Sequence, residues 1–162
     1  MSISEGDALP DATLVRIGAE GPESVSLAAI LGSGKAVIFG VPGAFTGTCT
    51  TAHVPSFIRT KDGFSEKGVE KIVCVAVNDP FVVKAWSEQT GAGDAGIEML
   101  GDPGAEFTKA IGMNFTAPPV GFYDRSRRYA MVVEDGRVVA LHAEESPGVC
   151  ETSGGEALLA TL

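Results

Sequence analysis

Lys35-Ala36-Val37-Ile38-Phe39-Gly40-Val41-Pro42-Gly43 is the stretch on which the architecture of this chain turns. The run from Ala36 to Val41 is apolar without interruption, has the length of a strand, and is stopped by a Pro-Gly pair. With no polar alternation, it reads as a strand buried on both faces. A second run of the same kind, Ile72-Val73-Cys74-Val75-Ala76-Val77, follows after Gly68. Between them lie a loop, Gly43 to Thr48, and a helix expected to begin near Cys49 and to carry His53, Phe57 and Ile58. Pro55 falls inside that helix, so the sequence predicts a kink there or a later helix start.

Outward from this centre the pattern continues. On the N-terminal side an irregular segment from Gly6 leads to a short β-like run, Thr13 to Ile17. On the other side, Asn78-Asp79-Pro80 predicts a helix through Phe81, Val82, Ala85 and Trp86, with Asp79 as N-cap and Pro80 in the first position. Met99-Leu100 is a short strand candidate, and Asp102-Pro103 is expected to cap the next helix, through Phe107 to Ile111, by the same device. Asp135-Gly136 between Tyr129–Glu134 and Arg137–Leu141 is a hairpin signal, because a type I′ turn needs φ > 0 at both central residues. Ser153 and Glu156 have capping-box spacing ahead of a last short helix. Strands alternating with helices, then a hairpin and a helix, predict one α/β domain over residues 1–162: a mixed central sheet with helices on both faces. A thioredoxin-like sandwich satisfies that order, and periodicity alone does not separate it from other small α/β folds.

Composition narrows the function. With 162 residues, 44% of them hydrophobic, the chain can bury a core without disulfide staples. A net charge of −9 argues against a nucleic-acid partner, since such binding rests on Lys and Arg neutralising phosphates. The apolar runs are too short to span a bilayer. The segment Met1 to Asp7 lacks the basic start and apolar core of a signal peptide, so a soluble, cytoplasmic protein is expected. Three cysteines, Cys49, Cys74 and Cys150, make neither a disulfide framework nor a C-x-x-C pair.

Cys49 stands out among them. A strand-to-helix loop of Gly, Thr and Pro is a poor place for a merely structural thiol. In the first turn of a helix, unpaired backbone N–H groups and the helix dipole favour an anion, and carboxyl ends of strands are where open α/β sheets hold their sites. Thr46, three residues earlier, can bring its hydroxyl to the sulfur or to an incoming oxygen, and Pro42 can shield the pocket from water. His53, four residues after Cys49, shares a helix face with it; with only His142 besides, it reads as a structural or pocket-wall residue rather than a metal ligand. Glu144-Glu145 reads as a solvated loop, and Arg125 and Arg127 as a solvated surface cluster.

The stretch Phe39 to Pro55, with Pro42, Thr46 and Cys49 in a Pro-x-x-x-Thr-x-x-Cys pattern, closely resembles the active-site loop of the peroxiredoxins. The specific branch is that of the plant type II enzymes and the mammalian atypical two-cysteine enzyme. Val77-Asn78-Asp79-Pro80-Phe81 with Trp86, and Arg125-Ser126-Arg127-Arg128-Tyr129 leading into Met131-Val132-Val133, are similar to the same branch. The resemblance implies a thioredoxin-like fold and thiol-dependent reduction of hydrogen peroxide and alkyl hydroperoxides, with no metal or bound cofactor. It implies that Cys49 is the peroxidatic cysteine, that Thr46 hydrogen-bonds the peroxide, that Pro42 packs over it, and that Arg128 is the catalytic arginine. It also implies a homodimer with Phe45 and the segment near Phe81 at the interface. Gly47 departs from the family, which more often has proline there, and makes the loop more permissive.

Cys74 matches the position of the second cysteine in plant type II enzymes. Cys150 lies in the region of the mammalian resolving cysteine, although its neighbours look like the plant and bacterial version. Either is a possible resolving residue; otherwise glutathione, glutaredoxin or thioredoxin reduces Cys49 directly. Two other classes fit less well: a thioredoxin-type oxidoreductase lacks its C-x-x-C, and an inert binding module leaves Pro42, Thr46, Cys49 and Arg128 unexplained.

Overall fold

The computed structural model describes residues 2–162. Along the chain run β1 (Thr13–Gly18), β2 (Gly21–Ser26), α1 (Leu27–Leu31) and β3 (Lys35–Val41). A π-helical turn (Cys49–His53) then leads into α2 (Val54–Glu66), followed by β4 (Val69–Ala76), α3 (Pro80–Thr90), β5 (Glu98–Gly101) and α4 (Glu106–Ala110). The remainder is β6 (Asn114–Ala117), β7 (Phe122–Ser126), β8 (Tyr129–Glu134), β9 (Arg137–Ala143) and α5 (Gly155–Leu159). Seven strands form one sheet in the order β2-β1-β5-β4-β3-β8-β9, and β6 and β7 make a separate two-stranded ribbon. Within the sheet, β3, β4 and β5 run parallel and the other neighbours antiparallel. This is the mixed, helix-covered sheet that the alternation predicts, in the thioredoxin-like form that the resemblance implies.

The two central runs are buried on both faces because each face has its own apolar layer. Val37, Phe39 and Val41 of β3, with Cys74 and Ala76 of β4, join the core that contains Phe57, Phe64 and Trp86 from α2 and α3. Ala36, Ile38, Val73 and Val75 point the other way, toward Leu27, Leu31 and Phe107 from α1 and α4. Successive side chains on a strand alternate between faces, so one continuous apolar run feeds both layers.

Local signals are met in part. Asp79 caps α3, accepting from the backbone N–H groups of Phe81 and Val82 at 2.9 and 3.0 Å. Asp135 and Gly136 have φ of 50° and 79°, as the hairpin turn requires. Two caps differ from expectation. Asp102-Pro103 does not start a helix directly: α4 begins at Glu106, and the Asp102 carboxylate reaches across to the N–H groups of Phe107 and Thr108. Ser153 does not cap α5, whose N-cap is Gly154; the Ser153 hydroxyl is committed to Glu144. Strand β2, Gly-Pro-Glu-Ser-Val-Ser, carries no β-forming pattern, and as an edge strand paired only with β1 it needs none.

Candidate active site

The site is assembled at the carboxyl end of β3. Beyond Val41 the chain enters the loop Pro42 to Thr48, which two side chains from elsewhere hold in place. Asn78, just after β4, accepts from the Ala44 N–H at 2.8 Å, and Arg125 on β7 donates to the Pro42 carbonyl at 3.2 Å. A Cβ at Gly43 would sit 2.3 Å from Arg125 Nη1, so a side chain there would push the end of this arginine aside. Arg125 also lies over the Phe122 ring, 5.2 Å from its centroid. Arg127 donates to the Glu144 carbonyl at 3.1 Å. Both arginines are half-buried, so the expected solvated cluster is instead a pair of struts on backbone carbonyls.

Cys49 opens a π-helical turn, in which the Val54 N–H reaches back five residues to the Cys49 carbonyl. The wide turn is the physical outcome of Pro55. Proline has no N–H and its ring crowds the carbonyl four residues back, so the coil widens rather than kinks. Trp86 braces the turn from α3, donating from its indole to the Thr50 hydroxyl at 3.0 Å.

The Cys49 sulfur is fully buried. Thr46 Oγ1 lies 2.8 Å from it and 2.8 Å from the Gly43 carbonyl, so the single hydroxyl proton serves one acceptor at a time. Arg128, between β7 and β8 and 2% exposed, donates from Nη2 to the sulfur at 3.2 Å. Its Nε and Nη2 also converge on the Pro147 carbonyl at 3.1 and 2.8 Å, and Nη1 donates to His53 Nδ1 at 3.1 Å. Pro42, Thr46, Thr48, Phe122, Arg128, Pro147 and Gly148 line an adjoining pocket of about 310 Å³. The four residues singled out in the sequence, Pro42, Thr46, Cys49 and Arg128, thus meet at one place. A guanidinium and a hydroxyl are thereby both aimed at one buried sulfur.

Two groups in this site gave a weaker sequence signal. His53 does lie in the site, as the i, i+4 spacing suggests, but it also bonds: Nε2 donates to the Ser153 carbonyl at 2.9 Å. Burial above all, then the Arg128 charge, push its pKa down to about 3, against a partial offset from the Ser153 carbonyl. Glu144 is not solvated; it is buried, and one carboxylate oxygen accepts from the Glu151 N–H, the Ser153 N–H and the Ser153 hydroxyl. Burial pushes its carboxyl up, and the bonds from Ser153 and Glu151 outweigh that and hold it below the ordinary value. Glu144 thereby ties together the loop whose Pro147 carbonyl holds Arg128. Nothing in a Glu-Glu pair announces such a partner nine residues away.

Among the described residues, neither of the other two thiols hydrogen-bonds to Cys49, Thr46 or Arg128. Cys74 is buried in the middle of β4, and burial, then the nearness of Cys49, push its thiol well up. Cys150 is half-buried in the loop before α5; burial pushes its thiol up as well, against offsets from Ser153 and Arg128. Among the described residues, no three His, Cys, Asp or Glu side chains gather as metal ligands.

A buried thiol served by a hydroxyl and a guanidinium, on a strand-loop-helix corner of this fold, defines a redoxin-type thiol enzyme, and the redoxin family matches residues 4–159. The chain is 45% identical to chloroplastic Peroxiredoxin-2E-2 of Oryza sativa subsp. japonica, covering 99% of this chain and 73% of that one. It is 38% identical to Peroxiredoxin-2C of the same organism, covering 99% and 98%. Reduced Prx3 from Vibrio vulnificus in complex with hydrogen peroxide superposes with a TM-score of 0.90 at 42% identity, covering 98% of both chains. The chain belongs to the peroxiredoxin family, alongside the plant type II enzymes, and is a thiol-dependent peroxidase.

Proposed function

We propose that Cys49 is the peroxidatic cysteine and that Thr46, Arg128 and Pro42 complete its site. The observation that carries this reading is the convergence of Arg128 Nη2 and Thr46 Oγ1 on one buried sulfur. Peroxide enters the pocket beside Pro42, whose ring keeps bulk water off the sulfur. The thiolate attacks the hydroxyl oxygen of the peroxide in line with the O–O bond. An S–O bond forms as the O–O bond breaks, and the departing alkoxide or hydroxide takes a proton from solvent. Sulfur is oxidised to sulfenic acid and the peroxide is reduced to alcohol or water. When Thr46 donates to the Gly43 carbonyl, its oxygen is free to accept the peroxide O–H. Arg128 stays charged throughout and faces the oxygen on which charge develops.

The sulfenic acid is then reduced by an external thiol of the glutathione or glutaredoxin type. A donor thiol displaces water to give a mixed disulfide, and a second thiol releases Cys49 as the thiol. Support comes from the other two cysteines: both have raised thiol pKa values, Cys74 is in the sheet core, and a low thiolate fraction slows attack on sulfur. We expect Cys49→Ser to abolish peroxide consumption while Cys74→Ser and Cys150→Ser keep the first oxidation. Mass spectrometry after one equivalent of peroxide then separates the routes. A loss of two hydrogens means an internal disulfide and refutes the external donor; an adduct formed only with glutathione supports it.

The enzyme is further proposed to act as a homodimer. Phe45, in the active-site loop, and Phe81, in the first turn of α3, are 50% and 64% exposed, and apolar side chains this exposed favour a covered surface. Light scattering at micromolar concentration is expected to give twice the 16.7 kDa chain mass; a monomer mass that Phe81→Asp leaves unchanged overturns this assembly.

A further inference from the structure

Arg128 carries a charge into a nearly dry place, and among the described residues no Asp or Glu pairs with it. A buried cation needs compensation. Its donors go instead to two neutral acceptors, the Pro147 carbonyl and His53 Nδ1, and to the sulfur of Cys49. A carboxylate at either neutral position would bind the guanidinium more tightly and compete with the sulfur for its charge. The imidazole satisfies Nη1 and fixes the guanidinium plane without taking that charge.

We infer that His53 is a positioning residue of the peroxidase reaction: a neutral acceptor that orients Arg128 through Nη1, so that the Cys49 thiolate is the only anion the guanidinium serves. This rests on Cys49 being the attacking thiol, as proposed above. The tautomer follows from the partners. Arg128 has no lone pair to offer, so Nδ1 accepts, and the ring proton sits on Nε2, directed at the Ser153 carbonyl. The ring cannot swing away, because Phe39 and Phe57 flank it at centroid distances of 4.9 and 5.6 Å. Ser153 is fixed in turn by Glu144, so one bonded chain links the reacting sulfur to the loop before α5. The low His53 pKa, about 3, keeps the acceptor neutral around neutral pH.

Three substitutions separate this role from simple packing. His53→Asn keeps an acceptor near Nδ1, His53→Gln keeps a donor near Nε2 only, and His53→Asp puts a negative charge against Arg128. The readouts are the second-order rate of pre-reduced enzyme with hydrogen peroxide and the pH profile of Cys49 alkylation by iodoacetamide, with circular dichroism to confirm folding. We expect Asn to stay within about threefold of wild type and Gln to lose roughly 10- to 100-fold in rate, the range for a hydrogen bond to a charged group. Asp is expected to slow the reaction and move its alkylation profile to higher pH than the wild type's. Equal losses in Asn and Gln, or an Asp variant with the wild-type profile, overturn the inference. If the variants do not fold, nitrogen NMR of the wild type decides, with His142→Gln used for assignment. An Nδ1–H tautomer, or a ring that titrates near neutral pH, overturns it; a non-titrating Nε2–H ring supports it. Activity surviving in Cys49→Ser would instead sink the peroxidatic assignment, so the two failures are distinguishable.

Discussion

Thr46 has one proton and two acceptors at the same distance, the Gly43 carbonyl and the Cys49 sulfur. That ambiguity is useful at a reacting centre, since a hydroxyl can donate to the thiolate in one state and accept from the peroxide in the next. Thr46→Val keeps the shape and removes both functions, whereas Thr46→Ser keeps the hydroxyl. We expect Val to slow peroxide reduction by roughly 10- to 1000-fold, as for loss of one group aimed at a developing charge, and Ser to recover most of it. Stopped-flow rates on pre-reduced enzyme check this, and a Val variant as fast as wild type removes Thr46 from the chemistry. At this scale the sequence was informative wherever chemistry is local. Pro42, Thr46 and Cys49 lie within one loop, and Arg128 was placed through family resemblance. Glu144 was misread because burial comes from a partner, Ser153, that the fold brings in from nine residues away. Arg125 was misread for the same reason, its partner Pro42 being far off in the chain.

The element that carries Cys49 has to satisfy two demands. The sulfur is fully buried, yet the external thiol proposed above as reductant, one the size of glutathione, has to reach it after oxidation. The first turns of this helix must therefore open. The turn is π-helical, with Gly47 two residues before it and Pro55 two residues after it, and single-turn π segments are frequent at functional sites. Pro55 was legible as a disturbance, but not its form, because a lone proline does not say whether a helix kinks, starts late or widens. Gly47 allows a direct test. A Cβ there meets nothing within 4 Å, its residue lies in the first helical turn, and proline is tolerated at that position. Gly47→Pro is expected to stabilise the folded enzyme by about 0.4–1 kcal/mol, through the unfolded chain. It is also expected to slow reduction of the sulfenic acid by glutathione and to raise the yield of sulfinic acid under excess peroxide. Unchanged reduction kinetics in a variant that is measurably more stable would show that opening does not begin at Gly47.

The whole molecule distributes its buried titratable groups so that stability depends on pH from both sides. The central sheet was legible because its strands are continuous apolar runs, whereas the charges it buries were not, since their shifts arise only once layers meet. His53 is held down to about 3 by burial and by Arg128, against 6.5 in an open chain. The unfolded chain therefore binds this proton first, and the stability His53 confers is present above 6.5 and lost as pH falls toward 3. Glu144 acts in the same sense further down, its stability present above its ordinary 4.5 and lost as pH falls through its lowered folded value. Cys74 and Tyr129 act oppositely. Burial raises both, so what they contribute is complete below their ordinary values of 9.0 and 10.0 and is lost as pH climbs past them. Urea unfolding of the reduced protein should then be most resistant between 6.5 and 9.0, with stability falling on each side. On the acid side, once unfolded histidine is charged, His53 alone contributes a slope approaching about 1.4 kcal/mol per pH unit. Replacing it by Asn should flatten the limb between 6.5 and 4.5 and leave the steeper loss below 4.5 to the carboxyls. A wild-type midpoint that does not move between pH 6.5 and 5 would mean that His53 is not held neutral against Arg128 in the folded enzyme.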